Sequence, residues 1–297
     1  MNELAELIGE NAFTALLIVA FALAAITAAA WIAIQHLWPR LWRALSRLWN
    51  VFARWMRPHV ARVPQLRKLL SASLSTWRYF GLHAVLSFGL ALLGIVTFIE
   101  LADEIGVSEE LALFDEQLTL ALSQHVDQAS LEGFARVTQL GDRDLLLGIG
   151  AVVAVYFLVR RWWLHALTWV LATGLGGVLV RVLKAHFERT RPLHEHSLTD
   201  SSGWSFPSGH AAGAMLVYGM LAYMLVRHTP RVWHIPIALI AVLLISFVGF
   251  SRVILQVHYF SDVLAGFIVA ATWTAFCVAG FETLRRRREM AREHAAS

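Results

Sequence analysis

Seven apolar runs, each near the thickness of a bilayer's hydrocarbon core, constrain this chain more than any other feature. They cover roughly residues 12–34, 80–101, 144–160, 163–183, 211–227, 233–250 and 260–281. As a helix, about 20 mostly apolar residues span ~30 Å. Backbone N–H and C=O groups in hydrocarbon must pair within their own structure, which leaves helices or closed barrels, and runs this long read as helices. The balance of residues agrees: 58% are hydrophobic and 15% charged, with mean hydropathy +0.59. A soluble domain has about 45–50% and about 25%. The expected fold is therefore all-α, a polytopic membrane bundle of about seven transmembrane helices, six forming a core and one preceding it.

Several classes drop out at once. Cys277 is the single cysteine, so no internal disulfide can form and no secreted disulfide scaffold is possible. The apolar excess argues against disorder. A pI near 9.6 can signal nucleic acid, but the basic residues are almost all Arg (Lys68 and Lys184 are the exceptions), and their placement suits a membrane surface. No nucleic-acid partner is expected. The first run follows Glu3, Glu6 and Glu10 rather than basic residues, and it exceeds the ~7–15 residues of a signal core, so it reads as a retained helix.

Charge then orients the spans. Alternation places residues 35–79, 161–162, 228–232 and 282–297 on one side, with 18 Lys/Arg and 3 Asp/Glu; the other side has 7 and 18. Basic residues stay in the cytoplasm. The N-terminus is thus expected outside the cytoplasmic (inner) membrane and the C-terminus, with Arg285, Arg286, Arg287, Arg288 and Arg292, inside. Residues 38–56 align Trp38, Leu41, Trp42, Leu45, Trp49 and Phe52 on one stripe with arginines off it, as in a helix lying in the headgroup layer and ended by Pro58. Residues 64–77 repeat this weakly. The acidic outer loop 102–143 carries Leu111, Phe114, Leu118 and Leu122 at helical spacing, expected to cap the outer surface structurally. Three units follow: 1–79, an N-terminal span with the basic amphipathic segment; 80–281, the membrane domain; and 282–297, a basic tail.

Five of the seven outer cations, Arg181, Lys184, Arg189, Arg191 and Arg252, fall near three segments, and an anionic ligand is one reason for cations there. Lys184 and Arg191 offer a point charge and a planar fork to one phosphate. Pro207-Ser208-Gly209-His210 sits where the fifth run begins, so its N–H groups point outward at a helix start, and Gly209 permits close backbone approach. His258 and Asp262, four apart at the start of the last run, share a helical face, where Asp262 can take the Nδ1 proton and leave Nε2 with a lone pair. Taken singly, His258 reads as structural, Arg252 as snorkelling and Asp262 as a helix-end charge; none of these explains why the three segments meet on one side. His186, His194, Glu195, His196 and Asp200 offer a rival metal site, though not at a recognised ligand spacing. Gly174, Gly176 and Gly177 lie inside a span and read as close helix packing.

Lys184, six residues, Arg191-Pro192; Pro207-Ser208-Gly209-His210; then Ser251-Arg252, five residues, His258, three residues, Asp262: this order resembles the three-part signature of the type 2 phosphatidic acid phosphatase and vanadium haloperoxidase superfamily. The resemblance covers about residues 80–281 and matches every signature position. It implies that His258 is the nucleophile, forming a phosphohistidine, that Asp262 orients it, and that His210 protonates the leaving oxygen. It assigns Lys184, Arg191, Ser208, Gly209 and Arg252 to the phosphoryl oxygens, with no cofactor and no metal. Phosphoryl transfer needs mainly positioning and neutralised oxygens, which suits this set. The expected activity is hydrolysis of a lipid phosphate monoester or diphosphate at the outer face. Undecaprenyl diphosphate is the first choice; phosphatidylglycerophosphate, phosphatidate and lipid A phosphate are alternatives, as is a lipid phosphotransferase using the same residues. From another class, a lipid transporter or scaffold would need no nucleophile.

Overall fold

The computed structural model describes residues 2–60, 77–107, 109–192 and 203–296. Within them run α1 (Asn2–Glu10), α2 (Ala12–Val60), α3 (Trp77–Val107), α4 (Glu109–His125), α5 (Gln128–Thr138), α6 (Arg143–Val159), α7 (Trp163–Phe187), α8 (Gly209–His228), α9 (His234–Ile254) and α10 (Phe260–Ala296). No strand occurs among the described residues. The fold is all-α, as expected.

Five stretches are long and apolar enough to cross a membrane: Ala12–Ala29, Trp163–Phe187, Gly209–His228, Arg231–Ile254 and Phe260–Arg292. The other two expected spans coincide with helices, α3 and α6. The latter has 17 residues, ~25 Å of helix. By length and composition, then, five of the expected seven qualify. Valines on the outer face of α6 support the lipid setting, with Val152 70% and Val159 75% exposed.

Two expected boundaries are not breaks in the helices. Span 12–34 and stripe 38–56 form one helix of 49 residues, α2, which passes through Pro39 and stops two residues beyond Pro58. A mid-helix proline costs about 3 kcal/mol, and long runs of Ala, Leu and Arg on both sides offset it. Likewise α10 continues past 281 through the arginines to Ala296. Most of the weaker stripe, residues 64–76, lies outside the described residues.

Four packed clusters build the bundle. Phe157, Trp169, Met220 and Val248 join α6, α7, α8 and α9. Phe98, Val180, Ala212, Ala265 and Val269 join α3 and α7 to α8 and α10. At one end of the bundle, Ala5, Leu118, Leu122, Val253 and Val263 seat α1 and α4 on α9 and α10. Leu16, Leu131, Phe134 and Ile254 close α2 and α5 against α9. The α4 stripe thus packs over one end of the bundle, the structural use its helical spacing predicts. The starts of α8 and α10 and the ends of α7 and α9 meet beneath it.

Candidate active site

The last turn of α7 ends at Glu188, which takes the left-handed conformation (φ 46°) with its N–H on Lys184 O. The chain then leaves the helix. Arg189 and Arg191, two apart on this non-helical segment, both turn toward the start of α10. Ser205 holds the segment in place, its N–H on Arg189 O (2.8 Å) and its hydroxyl on Thr190 O (2.9 Å).

After α9 the chain reverses through Gln256 (φ 55°), and the N–H groups of Val257 and His258 both reach Arg252 O, at 3.2 and 3.3 Å. This fold-back places Arg252 and His258 side by side, each 2% exposed. Ser208 N–H donates to Asp262 O (2.8 Å), which ties the start of α8 to the first turn of α10. Gly266 permits that approach, because a Cβ there would lie 2.7 Å from Ser208 O.

The His258 tautomer follows from its neighbours. Arg191 Nη1 lies 3.3 Å from His258 Nε2 and can only donate, so Nε2 accepts. Asp262 Oδ2 lies 3.3 Å from Nδ1, and a carboxylate accepts, so Nδ1 carries the proton. Nε2 therefore keeps a lone pair in a site rich in positive charge. Burial, then Arg191, Arg252 and Lys184, hold the imidazole well below its ordinary titration range, so it is neutral at pH 7.

Cationic donors surround it. Lys184 Nζ donates to Trp204 O (2.5 Å) and Ser205 O (3.3 Å), leaving one N–H of three. Arg191 donates from Nε to Gly203 O (3.0 Å) and from Nη1 to Val257 O (2.6 Å). Arg252 Nη1 donates to Thr138 Oγ1 (2.8 Å), while its Nε is buried with no partner among the described residues. Ser208 Oγ is buried and unpartnered in the same way. A buried cation beside unused donors is costly unless an anion joins them. His210, in the first turn of α8, has Nε2 on Asp142 Oδ1 at 2.9 Å, which leaves Nδ1 for proton transfer. Asp142 precedes α6, beside a turn held by the Tyr218 hydroxyl on Leu140 O (2.6 Å).

All eight expected residues come together. Four more complete the site: Asp142, Thr138, Arg189 and Asp115. Arg189 belonged to the basic cluster, yet it faces carboxylates: Nη1 donates to Asp262 Oδ1 (2.7 Å) and Nη2 to Asp115 Oδ2 (2.9 Å). Asp115 carries a readable signal, a carboxylate on the apolar stripe of α4 between Leu111 and Leu118. Burial raises its carboxyl above the usual range, while Ser261 and Arg189 act the other way. Arg181 is exposed, and it lines a cavity beside the site together with Lys184 and His210. Residues 193–200, with His194, Glu195, His196 and Asp200 of the rival metal reading, lie outside the described residues. No group of three metal-binding side chains occurs among those described.

The chain is similar to known proteins in both sequence and fold. Residues 165–286 match the model of the PAP2 superfamily. Phosphatidylglycerophosphatase B of Bacillus subtilis (strain 168) is 38% identical over 161 residues, 52% of this chain and 76% of that protein. The crystal structure of a transmembrane PAP2-type phosphatidylglycerolphosphate phosphatase from Bacillus subtilis superposes with a TM-score of 0.57 at 32% identity, covering 65% of this chain and 95% of that one. Aquifex aeolicus LpxE gives a TM-score of 0.42 at 23% identity over 57% of this chain and 93% of its own. With the signature assembled in three dimensions and a relative this similar along most of its length, the chain belongs to the PAP2 superfamily, in its integral-membrane lipid phosphatase branch.

Proposed function

We propose that the chain removes the terminal phosphate of a glycerophospholipid, phosphatidylglycerophosphate, at the outer face of the cytoplasmic membrane. The observation that carries this reading is the buried His258, with its Nε2 lone pair facing cations and the unused donors of Ser208 and Arg252. The relatives' names favour phosphatidylglycerophosphate over undecaprenyl diphosphate. The outer-face assignment rests on the charge split, with the C-terminal arginines in the cytoplasm.

His258 Nε2 attacks phosphorus as the P–O bond to the lipid breaks, and His210, entering the step as the imidazolium with its Nε2–H on Asp142, gives its Nδ1 proton to the departing oxygen. Asp262 holds the Nδ1 proton of His258 and steadies the positive ring. Lys184, Arg191, Arg252, Ser208 and the N–H of Gly209 neutralise the phosphoryl oxygens. Water then attacks the phosphohistidine, returns a proton to His210 and releases inorganic phosphate. These residues supply the charge that a metal would otherwise bring.

A cavity of about 650 Å³ supports a lipid substrate. It begins at Lys184 and His210 and follows α6 inward past Gly150 to Ala154 and Trp169. From Arg143 to Ala154 it covers ~16 Å of helix, about half the hydrocarbon core, enough for much of one acyl chain. A phosphate held among the cations thus has an apolar slot beside it for the tail.

The test is phosphate release by purified protein from a panel of phosphatidylglycerophosphate, phosphatidate, undecaprenyl diphosphate and lipid A. The first should have the highest kcat/KM, and His258→Ala should release nothing. A preference for undecaprenyl diphosphate would overturn the substrate; no release from any lipid would overturn the enzyme.

A further inference from the structure

We propose that Arg189 and Asp115 are positioning residues for the nucleophile: Asp115, reaching in from α4, fixes the Arg189 guanidinium, and Arg189 in turn fixes the Asp262 carboxylate that orients His258. The inference rests on His258 being the nucleophile.

The donors of Arg189 are largely spent behind Asp262. Nη1 uses both N–H groups, on Asp262 Oδ1 and on Ser261 Oγ, each at 2.7 Å. Nη2 donates to Asp115 Oδ2 at 2.9 Å, and the guanidinium carbon lies 4.3 Å from the Tyr259 ring centre. This is not a phosphate ligand in waiting. Asp115 is held equally well: Oδ1 accepts the Ser261 N–H (3.1 Å), and Oδ2 accepts the Ser261 hydroxyl as well as Arg189. Both carboxylates have fully buried side chains, and that of Arg189 is 16% exposed.

The division of labour on Asp262 matters most. Oδ1 takes Arg189, while Oδ2 takes the Tyr259 N–H (3.0 Å) and the His258 Nδ1–H (3.3 Å). Without Arg189 a fully buried carboxylate loses its adjacent counter-ion, and it takes up a proton or turns away. Either change releases the His258 tautomer. Lysine keeps the charge but lacks the planar fork that bridges two carboxylates.

The full-length protein in detergent tests this, on the lipid that the wild type hydrolyses best. Arg189→Gln should lower kcat about 10²-fold, the low end of what correct proton placement contributes, with KM nearly unchanged. Arg189→Lys should recover part of that loss. Because Arg189 acts through Asp262, Arg189→Gln combined with Asp262→Asn should be no slower than Asp262→Asn alone, within about threefold. A structural role alone would not produce that equality. Multiplying losses, a kcat kept near wild type, or a raised KM at unchanged kcat would each overturn the proposal. Should Arg189→Gln fail to fold, Asp115→Asn takes its place: a roughly tenfold lower kcat that vanishes in the Asp262→Asn background supports positioning, and multiplying losses overturn it. A wild type without phosphatase activity would overturn the underlying function instead; an active wild type with an unaffected Arg189→Gln would overturn only this inference.

Discussion

His258 and His210 sit in different company, so their loss should read differently. His258 has its nitrogens between Asp262 and Arg191, while His210 has one nitrogen on Asp142. An alkyl oxygen leaves poorly and needs a proton, and general-acid help contributes about 10²–10⁴-fold; a nitrophenolate leaves without it. His210→Ala should therefore be crippled on the lipid and partly restored on p-nitrophenyl phosphate. His258→Ala should be inactive on both, since no leaving group replaces a nucleophile. Steady-state rates of both variants on both substrates decide it, and equal proportional losses would refute the assignment. At this scale the sequence was legible where residues recur at short spacing, as in His258 and Asp262. Asp115 lies 74 residues from Arg189 and Asp142 lies 68 from His210, and only the fold brings them there.

Among the elements, α7 shows where periodicity misleads. Its glycines read as packing, and Gly176 fits: a Cβ there would lie 2.7 Å from Leu216. Gly177 does not. A Cβ there meets nothing within 4 Å, and the residue lines the cavity beside His210. The helix is wound as a π turn over Leu171–Leu175, and α8 likewise over Met215–Gly219. Each such turn carries an extra residue and rotates the faces that follow. Regular spacing therefore predicts the helices but not which side each residue shows beyond the bulge. Gly177→Leu should fold, since leucine favours a helix over glycine by close to 1 kcal/mol, and should fill the slot. Displacing two or three methylenes of a tail costs about 2 kcal/mol, or ~30-fold in kcat/KM on a long-chain lipid. Turnover of p-nitrophenyl phosphate should stay within about twofold. Equal losses on both substrates would remove the cavity from tail binding.

For the whole molecule, the charge asymmetry makes a prediction about sidedness. In a Cys277→Ser background, Glu132→Cys on the exposed face of α5 should react with an impermeant thiol reagent in intact protoplasts or spheroplasts. Arg288→Cys should react only after lysis. The reverse pattern would invert the orientation and place the site in the cytoplasm. The apolar runs made the all-helical fold legible, but neither the unbroken length of α2 nor the depth at which α4 sits could be read from them. The reach of Asp115 into α10 has a temporal side as well. A ribosome releases residue 115 long before Ser261 and Asp262, the groups that its carboxylate and Arg189 join. Until the last helix inserts, the earlier segments carry Asp115 and Arg189 without Ser261 and Asp262. The enzyme is thus completed by its closing segment, and a chain cut short before Phe260 should be an unfinished client for membrane quality control rather than a weak phosphatase.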